Sequence, residues 1–369
     1  MTRAKVQIDL KALEENYRTI RGKVPRGVKM LCVVKADGYG HGAIPVAHRL
    51  EAIGADYFGV ATIEEGIELR NGAVRKPILV MGGLMPWDDT KTLWDYELTP
   101  VLADFVGLSR LARDAKKRKT TIKAHVKVDT GMGRLGFGLD EMGAVVGALQ
   151  DAKYIEVEGV MSHFASSEQR DAYGMSQIER FRNVVEYLND HGVMPALLHM
   201  ANSGAVCQYP EAYFGMVRLG IMLYGSYPDS SLAAKIRVKP VMKLVSRIAY
   251  VRTFPPGSAL SYGRTFVTQR DTEVACVALG YADGFPRALS NKGSILIHGR
   301  RCPIIGRVCM DWLLTDVSEL LDVEAGEEVI LMGEAGKECI TADEIAGYAG
   351  TIPYEILCGI SRNIPRVYV

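Results

Sequence analysis

The hydrophobic positions in the first part of the chain form short runs separated by stretches of helical periodicity. Apolar, often β-branched runs of this length are typical of buried strands. Eight such runs recur, at residues 31–34, 56–62, 77–83, 98–103, 122–130, 158–164, 196–203 and 217–225. Residues 44–50 and 64–71 have the pattern of helices. Eight strands alternating with helices over roughly 230 residues predict an α/β fold with an N-terminal (β/α)8 TIM barrel, which typically needs about 250 residues.

The competing α/β architecture is a doubly wound open sheet. The barrel is favoured because no GxGxxG motif follows the first strand of the series. From residue 238 onward the pattern changes to short strands at short spacing, with one helical piece at residues 341–347. This pattern predicts a C-terminal, mostly-β domain. We therefore expect a barrel over residues 1–235 and a β domain over residues 236–369.

Composition and charge narrow the class of protein. A hydrophobic content of 48% and a charged content of 24% are those of an ordinary globular protein. The net charge of +1 disfavours nucleic acid or a membrane surface as a partner. No apolar run approaches the ~18 residues of a membrane span, and no signal-peptide core precedes the first strand. Seven cysteines without a CxxC pair or a His/Cys cluster indicate buried free thiols, no metal site and a cytoplasmic location.

The candidate chemistry begins at residues 31–42, LCVVKADGYGHG. Here a buried strand delivers Lys35 to its C-terminal end, and three glycines allow the chain to turn. A lysine in that place is costly to desolvate unless it is paired or used covalently, although it could also extend to solvent. Barrel enzymes work at the C-terminal ends of their strands. The polar and glycine residues predicted at this mouth are Lys35, Tyr39, Asp129, Gly131, Arg134, His163, Asn202, Ser203, Arg218, Gly220 and Ile221.

The stretch around Lys35 resembles the cofactor-lysine signature of the alanine racemase family. Further blocks match that family in order: VKVDTGMGRLG (126–136), RLGIMLYG (218–225), SYGRT (261–265), GYADG (280–284), VCMD (308–311) and PYEIL (353–357). The resemblance extends over the whole chain. It implies a barrel that binds pyridoxal 5′-phosphate (PLP), followed by a β domain to which residues 1–10 contribute a strand.

The resemblance also implies how the cofactor is held. Lys35 would bind PLP covalently and act as one catalytic base. Arg218 would face the pyridine nitrogen, and His163 would support Arg218. The cofactor phosphate would be bound by hydroxyl groups and backbone N–H groups of the following residues: Tyr39, Ser203, Tyr354, Gly220 and Ile221.

Other implied roles concern the substrate and a second subunit. Arg134 would bind the cofactor phenolate and help to hold the substrate, and Lys127 occupies a position that can be a carbamate. Tyr262 would be the second catalytic base, contributed by the other subunit of a homodimer. Met310 of that subunit would contact the substrate carboxylate, and Tyr281 would narrow the entrance.

The resemblance therefore implies a cytoplasmic, homodimeric enzyme that interconverts L- and D-alanine by a two-base mechanism and supplies D-alanine for peptidoglycan. A racemase of another amino acid, such as serine or lysine, is an alternative, because the bulky Trp312 beside Met310 could alter the pocket rim. A related PLP-dependent decarboxylase of basic amino acids is disfavoured by the Tyr262 motif and Arg218. A non-catalytic PLP carrier would lack the roughly 130 residues beyond the barrel, which are enough for a separate domain.

Overall fold

The computed structural model describes residues 2–369, and Met1 lies outside the described residues. The strands of the described chain are β1 (Ala4–Ile8), β2 (Lys29–Val33), β3 (Tyr57–Val60), β4 (Ile78–Val80), β5 (Leu98–Leu102), β6 (Ile122–Lys127), β7 (Ile155–Met161), β8 (Leu197–His199), β9 (Met216–Leu219), β10 (Met242–Phe254), β11 (Ala259–Leu260), β12 (Phe266–Val267), β13 (Thr272–Val277), β14 (Ser294–Ile297), β15 (Arg300–Ile305), β16 (Leu313–Asp316), β17 (Glu328–Ala335), β18 (Glu338–Ile340) and β19 (Arg366–Tyr368).

The helical segments are α1 (Leu10–Arg21), α2 (Lys35–Gly40), α3 (Ala43–Ala52), α4 (Ile63–Asn71), α5 (Lys91–Asp95), α6 (Phe105–Arg118), α7 (Met142–Asp151), α8 (Ala172–Asp190), α9 (Ser203–Gln208), α10 (Ala342–Ala349) and α11 (Pro353–Gly359). Polar side chains start several of them. Asp9, Asp104 and Asp171 cap α1, α6 and α8 by accepting hydrogen bonds from free N–H groups of the first turn. No helix formed by residues 2–369 is both long enough and apolar enough to cross a membrane.

The predicted barrel is confirmed. Strands β2 to β9 form one parallel sheet in the order β8-β7-β6-β5-β4-β3-β2-β9. Backbone hydrogen bonds join its two ends, from Gly215 N to Leu198 O (3.0 Å) and from Arg218 N to Ala201 O (2.8 Å). The sheet therefore closes on itself, which the doubly wound alternative does not do. Closure brings the C-terminal ends of all eight strands to one mouth.

The mostly-β region forms a second sheet in the order β18-β17-β14-β15-β16-β13-β10-β1-β19. Strand β1 lies inside this sheet, antiparallel to β10 and parallel to β19. The division of the chain into residues 1–235 and 236–369 stays a prediction.

Three expectations need correction. The run at 217–225 is a strand only to Leu219, because Gly220 leaves the extended region (φ −121°, ψ −111°) and a 3-10 helix, Ile221–Tyr224, follows. Helix α11 was not predicted, although Pro353 at its first turn is a common start signal. The thiols are not uniformly buried, since Cys358 is exposed.

The turn after β2 is left-handed. Ala36, Asp37, Gly38 and Tyr39 have φ between 53° and 60° and ψ between 39° and 48°. This conformation costs about 1–2 kcal/mol for each residue other than glycine. Carboxylates hold the turn: Glu65 accepts hydrogen bonds from the N–H groups of Ala36 (2.7 Å) and Ala61 (2.6 Å), and Asp37 accepts one from Ala43 (2.8 Å). The sequence predicted a glycine turn here, but the strained residues are mostly not glycine.

Candidate active site

A cavity of about 350 Å³ opens at the C-terminal mouth of the barrel. Ten residues to which the sequence analysis gave a role line it: Lys35, Tyr39, Lys127, Arg134, His163, Ser203, Arg218, Gly220, Ile221 and Tyr354. They come from segments far apart in the chain, and the closure of the barrel brings them together. Where the strands end thus decides which side chains meet in the cavity.

One wall of the cavity can bind an anion through hydroxyl and backbone donors. A Cβ atom on Gly220 would lie 2.8 Å from Tyr39 Oη and 3.9 Å from Ser203 Oγ, so both hydroxyls converge where this residue has no side chain. Burial raises the pKa of Tyr39 and of Tyr354, so these phenols keep their protons and can donate. Ile221 begins a 3-10 helix, and its N–H therefore has no partner within that helix.

The Gly220 N–H differs from the expectation, because it donates to Ser203 Oγ at 2.9 Å. In this arrangement Gly220 orients the serine hydroxyl. The Ser203 hydroxyl can still donate its own proton to an anion, since its oxygen accepts while its hydrogen is free to rotate.

Arg218 lies across the floor of the cavity with only 3% of its surface exposed. Its Nη atoms donate to three backbone carbonyls, those of Ser162 (2.7 Å), His199 (3.0 Å) and Met200 (3.0 Å). They also donate to the Nδ1 atoms of His163 and His199, both at 3.0 Å. Burial lowers the pKa of Arg218 to about 10, so it stays charged at neutral pH.

His163 is fixed by this contact. Arginine has no acceptor, so the Nδ1 atom that faces Arg218 must be unprotonated. Burial, followed by the neighbouring charge of Arg218, holds the pKa of His163 well below its ordinary value, and the imidazole is neutral. The structure thus places His163 as a neutral acceptor that supports Arg218.

Arg134 lies on a loop that one carboxylate organises. Asp129 accepts hydrogen bonds from the backbone N–H groups of Gly131, Met132, Gly133 and Arg134, at 2.8, 2.7, 2.7 and 3.2 Å. The loop therefore presents the side chain of Arg134 to the cavity from a backbone held at four points.

Lys127, at the end of β6, faces the same cavity. Burial is the main cause that lowers the pKa of Lys127 to about 8, and the charges of Arg218 and Arg134 lower it further. Asp129 acts in the opposite direction. The cavity therefore concentrates cationic side chains, which suits an anionic ligand.

Five predicted residues do not line this cavity: Asp129 and Gly131, which belong to the loop of Arg134, and Tyr262, Met310 and Tyr281. Tyr262, Met310 and Tyr281 are exposed by 71%, 54% and 41%, and Trp312 beside them by 43%. Their loops are joined: Tyr281 N donates to Cys309 O (3.0 Å), and Cys309 N donates to Trp312 O (2.8 Å). We call Tyr262, Tyr281, Met310 and Trp312 the aromatic patch.

The backbone on both sides of Tyr262 is strained. Ser261 has φ 62° and ψ −179°, and Arg264 has φ 51°, values that residues other than glycine rarely adopt. Ser261 Oγ donates to Arg307 O at 2.6 Å and ties the loop to its neighbour. Strain of this kind, held by local hydrogen bonds, is characteristic of functional loops.

The cavity also contains residues that the sequence analysis did not single out: Val33, Ala61, Met81, Gly82, Leu135 and Met161. Ala61 and Met81 directly follow β3 and β4, and Met161 ends β7. Barrel enzymes place their sites at the C-terminal ends of the strands, and considering apolar as well as polar residues at these ends would have identified these three. They add apolar lining beside the cationic groups of the cavity, since Met161 pairs with Lys127 on the neighbouring strand.

These observations fit a cofactor such as PLP. Lys35 supplies an amine that can bind an aldehyde, the hydroxyls near Gly220 and the N–H of Ile221 suit a phosphate, and Arg218 closes the floor with a fixed positive charge. No group of His, Cys, Asp and Glu side chains within residues 2–369 has the arrangement of a metal site. The barrel and its cavity thus define a PLP-dependent enzyme.

Comparison with known proteins gives the family. A model described as alanine racemase, N-terminal domain, matches residues 8–228, and one described as alanine racemase, C-terminal domain, matches residues 241–368. This chain belongs to the alanine racemase family, whose members are PLP-dependent isomerases.

Individual relatives agree along the full length. The alanine racemase of Geobacter sulfurreducens is 41% identical, and that of Halothermothrix orenii is 43% identical; each match covers 98% of this chain and 96% of the relative. The crystal structure of alanine racemase from Streptomyces lavendulae has a TM-score of 0.96 at 35% identity, covering 100% of this chain and 97% of that chain. The structure from Bartonella henselae, with covalently bound pyridoxal phosphate, has a TM-score of 0.88 at 29% identity and covers 100% of both chains.

Proposed function

We propose that this protein interconverts L- and D-alanine with PLP, using Lys35 and Tyr262 as its two bases. The observation that carries the proposal is the meeting of Lys35, Arg218 and the hydroxyls of Tyr39 and Ser203 in one cavity of an alanine racemase-family chain. When bound, PLP acidifies the Cα–H of the amino acid by withdrawing electrons into its ring. The protein determines where the proton goes.

Racemisation requires proton exchange on both faces of Cα. Lys35 Nζ serves one face from within the cavity, and Tyr262 Oη of a second subunit serves the other. Arg134 holds the substrate, and Met310 of the second subunit contacts its carboxylate. Arg218, a cation whose Nη groups are anchored in the barrel, faces the pyridine nitrogen and keeps its own proton, so it does not protonate the ring.

The proposed cellular role is the supply of D-alanine for peptidoglycan in the cytoplasm. We expect D-alanine to dominate when PLP-loaded protein is incubated in parallel with L-alanine, L-serine and L-lysine and the products are separated by chiral chromatography. The gene, expressed without an export signal, should also restore growth to a bacterium that requires D-alanine. D-Serine or D-lysine as the main product would instead point to the aromatic patch as a specificity determinant. Absence of any D-product would contradict the proposal.

Replacing Tyr262 by Phe tests the two-base assignment. Net racemisation should fall equally in both directions, because the two enantiomers are equal in energy. The asymmetry appears in loss of the Cα hydrogen: washout of deuterium from one enantiomer should fall by about 10²–10⁴-fold, while the enantiomer served by Lys35 keeps most of its exchange. NMR of each Cα-deuterated enantiomer in water measures both rates. Equal losses would refute the assignment, and Tyr348→Phe, also exposed, is the control.

The homodimer is proposed from the aromatic patch. Four large side chains exposed on joined loops form an apolar surface of the kind that marks a contact with another protein. Tyr262 lies in this patch and does not line the cavity of its own chain, so its proposed role as the second base requires a second copy of the chain. The active sites are then shared between subunits.

Mixing two inactive variants tests the shared sites. Mixed dimers of co-expressed Lys35→Ala and Tyr262→Phe chains, isolated by a different tag on each chain, should have about one half of wild-type activity, because each mixed dimer has one intact site of two. The control is the double variant co-expressed with wild type, in which mixed dimers have no intact site. Turnover by separately tagged, purified dimers gives the values. No recovery in the first mixture would show that both residues act within one chain.

We further propose that Lys127 is a carbamate. In this step the Nζ lone pair attacks the carbon of CO2, an N–C bond forms, a C–O π bond opens, and a proton leaves to solvent. Conversion of a cation into an anion would relieve the repulsion among Lys127, Arg134 and Arg218 and would give Arg134 a partner.

The pKa of Lys127 sets the pH dependence of this modification. Only the neutral amine reacts, and its pKa of about 8 leaves a sizeable neutral fraction in weakly alkaline solution. At fixed dissolved 13CO2, the carbamate signal in 13C NMR should rise as the pH increases from about 6 to about 9. The signal should vanish in Lys127→Met and persist in Lys119→Met, which removes an exposed lysine. A signal that survives in Lys127→Met would disprove the assignment.

A further inference from the structure

A line of hydrogen bonds runs from Arg218 away from the cavity and through the barrel wall. Arg218 Nη1 lies 3.0 Å from His199 Nδ1, and His199 Nε2 lies 2.7 Å from His125 Nδ1. His125 Nε2 lies 3.2 Å from Glu158 Oε2, and Glu158 Oε1 accepts from Lys123 Nζ at 2.9 Å. Both imidazoles are fully buried.

The fold makes room for this line. Arg218, His199 and His125 lie on strands β9, β8 and β6, and Glu158 lies on β7 between the two histidine strands. His125 pairs in register with Gly159, where an added Cβ would lie 2.6 Å from the imidazole ring. The absence of a side chain at Gly159 therefore lets the His125 ring lie across β7.

All hydrogen bonds of the line are donated in the same direction, from Arg218 toward Glu158, because Arg218 can only donate and the Glu158 carboxylate can only accept. Because Arg218 can only donate, His199 Nδ1 accepts and the proton of neutral His199 is on Nε2. That N–H donates to His125 Nδ1, so the proton of His125 is also on Nε2 and is donated to Glu158. Burial holds the pKa of His125 below its ordinary value and that of His199 well below it, so both are neutral.

The line would reverse if its acceptor end were lost. In the reversed state His125 Nδ1–H donates to His199 Nε2, and His199 then carries its proton on Nδ1. Two donors would face each other across the 3.0 Å between His199 Nδ1 and Arg218 Nη1. Ionised Glu158 prevents this reversal, because a carboxylate accepts hydrogen bonds and cannot donate one to His125. Glu158 stays ionised because the hydrogen bond from His125 lowers the pKa of Glu158 to about 2.

We propose that Glu158 is a positioning residue that acts through His125 and His199 to hold Arg218 in place toward the cofactor. The inference deepens the proposed function, on which its cofactor part rests. The tautomers of the two histidines do not depend on catalysis, so they test the inference separately.

The principal experiment compares Glu158→Gln with Glu156→Gln. Glu156 lies on the same strand and 4.0 Å from Lys123, but it is exposed and has no contact with His125. In [15N]histidine-labelled protein, NMR should find both histidines protonated at Nε2 in wild type and in Glu156→Gln. In Glu158→Gln the amide can donate, so a fraction of His199 should be protonated at Nδ1.

The holoenzyme gives the functional readouts. With PLP labelled at its pyridine nitrogen, the 15N shift should move in Glu158→Gln and stay unchanged in Glu156→Gln. The kcat for racemisation should fall about tenfold in Glu158→Gln with KM nearly unchanged, since orienting partners of this kind typically contribute 10–100-fold. In a His125→Leu background, Glu158→Gln should have no further effect on either readout.

Several results would overturn the proposal. Protonation of His199 at Nδ1 in wild type would do so without any variant, which covers the case that Glu158→Gln does not fold. An unchanged His199 tautomer in Glu158→Gln, or the same changes in Glu156→Gln, would also refute it. If His199 changes its tautomer in Glu158→Gln as expected but the wild-type protein produces no D-alanine, the line of hydrogen bonds is upheld and only the proposed function is rejected.

Discussion

The burial of the Arg218 guanidinium is the constraint on which the rest of the site depends. Removing a cation from water costs several kcal/mol unless polar groups replace its hydration. Here carbonyls of Ser162, His199 and Met200 and two imidazole nitrogens accept its hydrogen bonds. These acceptors come from the ends of β7 and β8, next to the closure of the barrel, so sheet closure and charge burial require the same geometry.

The turn after β2, the strand that pairs with β9, carries a conformational cost of another kind. Three non-glycine residues of the turn after β2, Ala36, Asp37 and Tyr39, adopt left-handed dihedral angles. The hydrogen bonds that Glu65 accepts from the N–H groups of Ala36 and Ala61 offset part of this cost. They also fix the backbone from which the side chains of Lys35 and Tyr39 extend. Residues adopt backbone conformations that their type disfavours where function needs a particular geometry, and surrounding contacts offset the cost.

The contrast between the regular barrel strands and the strained turn after β2 explains what the sequence could predict. The strand count and the barrel follow from hydrophobic periodicity, and most of the polar residues at predicted strand ends, although not Asp129, line the cavity. The left-handed turn could not be predicted, because Ala36 and Tyr39 have no preference for left-handed dihedral angles. His125 lies within a strand of alternating pattern, which predicts an ordinary core residue. Its contact with Glu158 depends on the strand register and on the absence of a side chain at Gly159, and neither can be derived from the pattern. The roles proposed for Tyr262 and Met310 require a second subunit, so they follow from the resemblance and not from the positions of these residues in one chain.

The contacts of strand β19 have a consequence for how the protein matures. Arg366 Nε donates to Gly40 O at 3.2 Å across 326 positions of sequence, and a Cβ on Gly42 would collide with Tyr368. Contacts this distant in sequence form late, because loop closure must precede them. During synthesis the barrel strands therefore leave the ribosome well before residues 366–368, and the contacts of this strand with Gly40 and Gly42 form only when the chain is nearly complete.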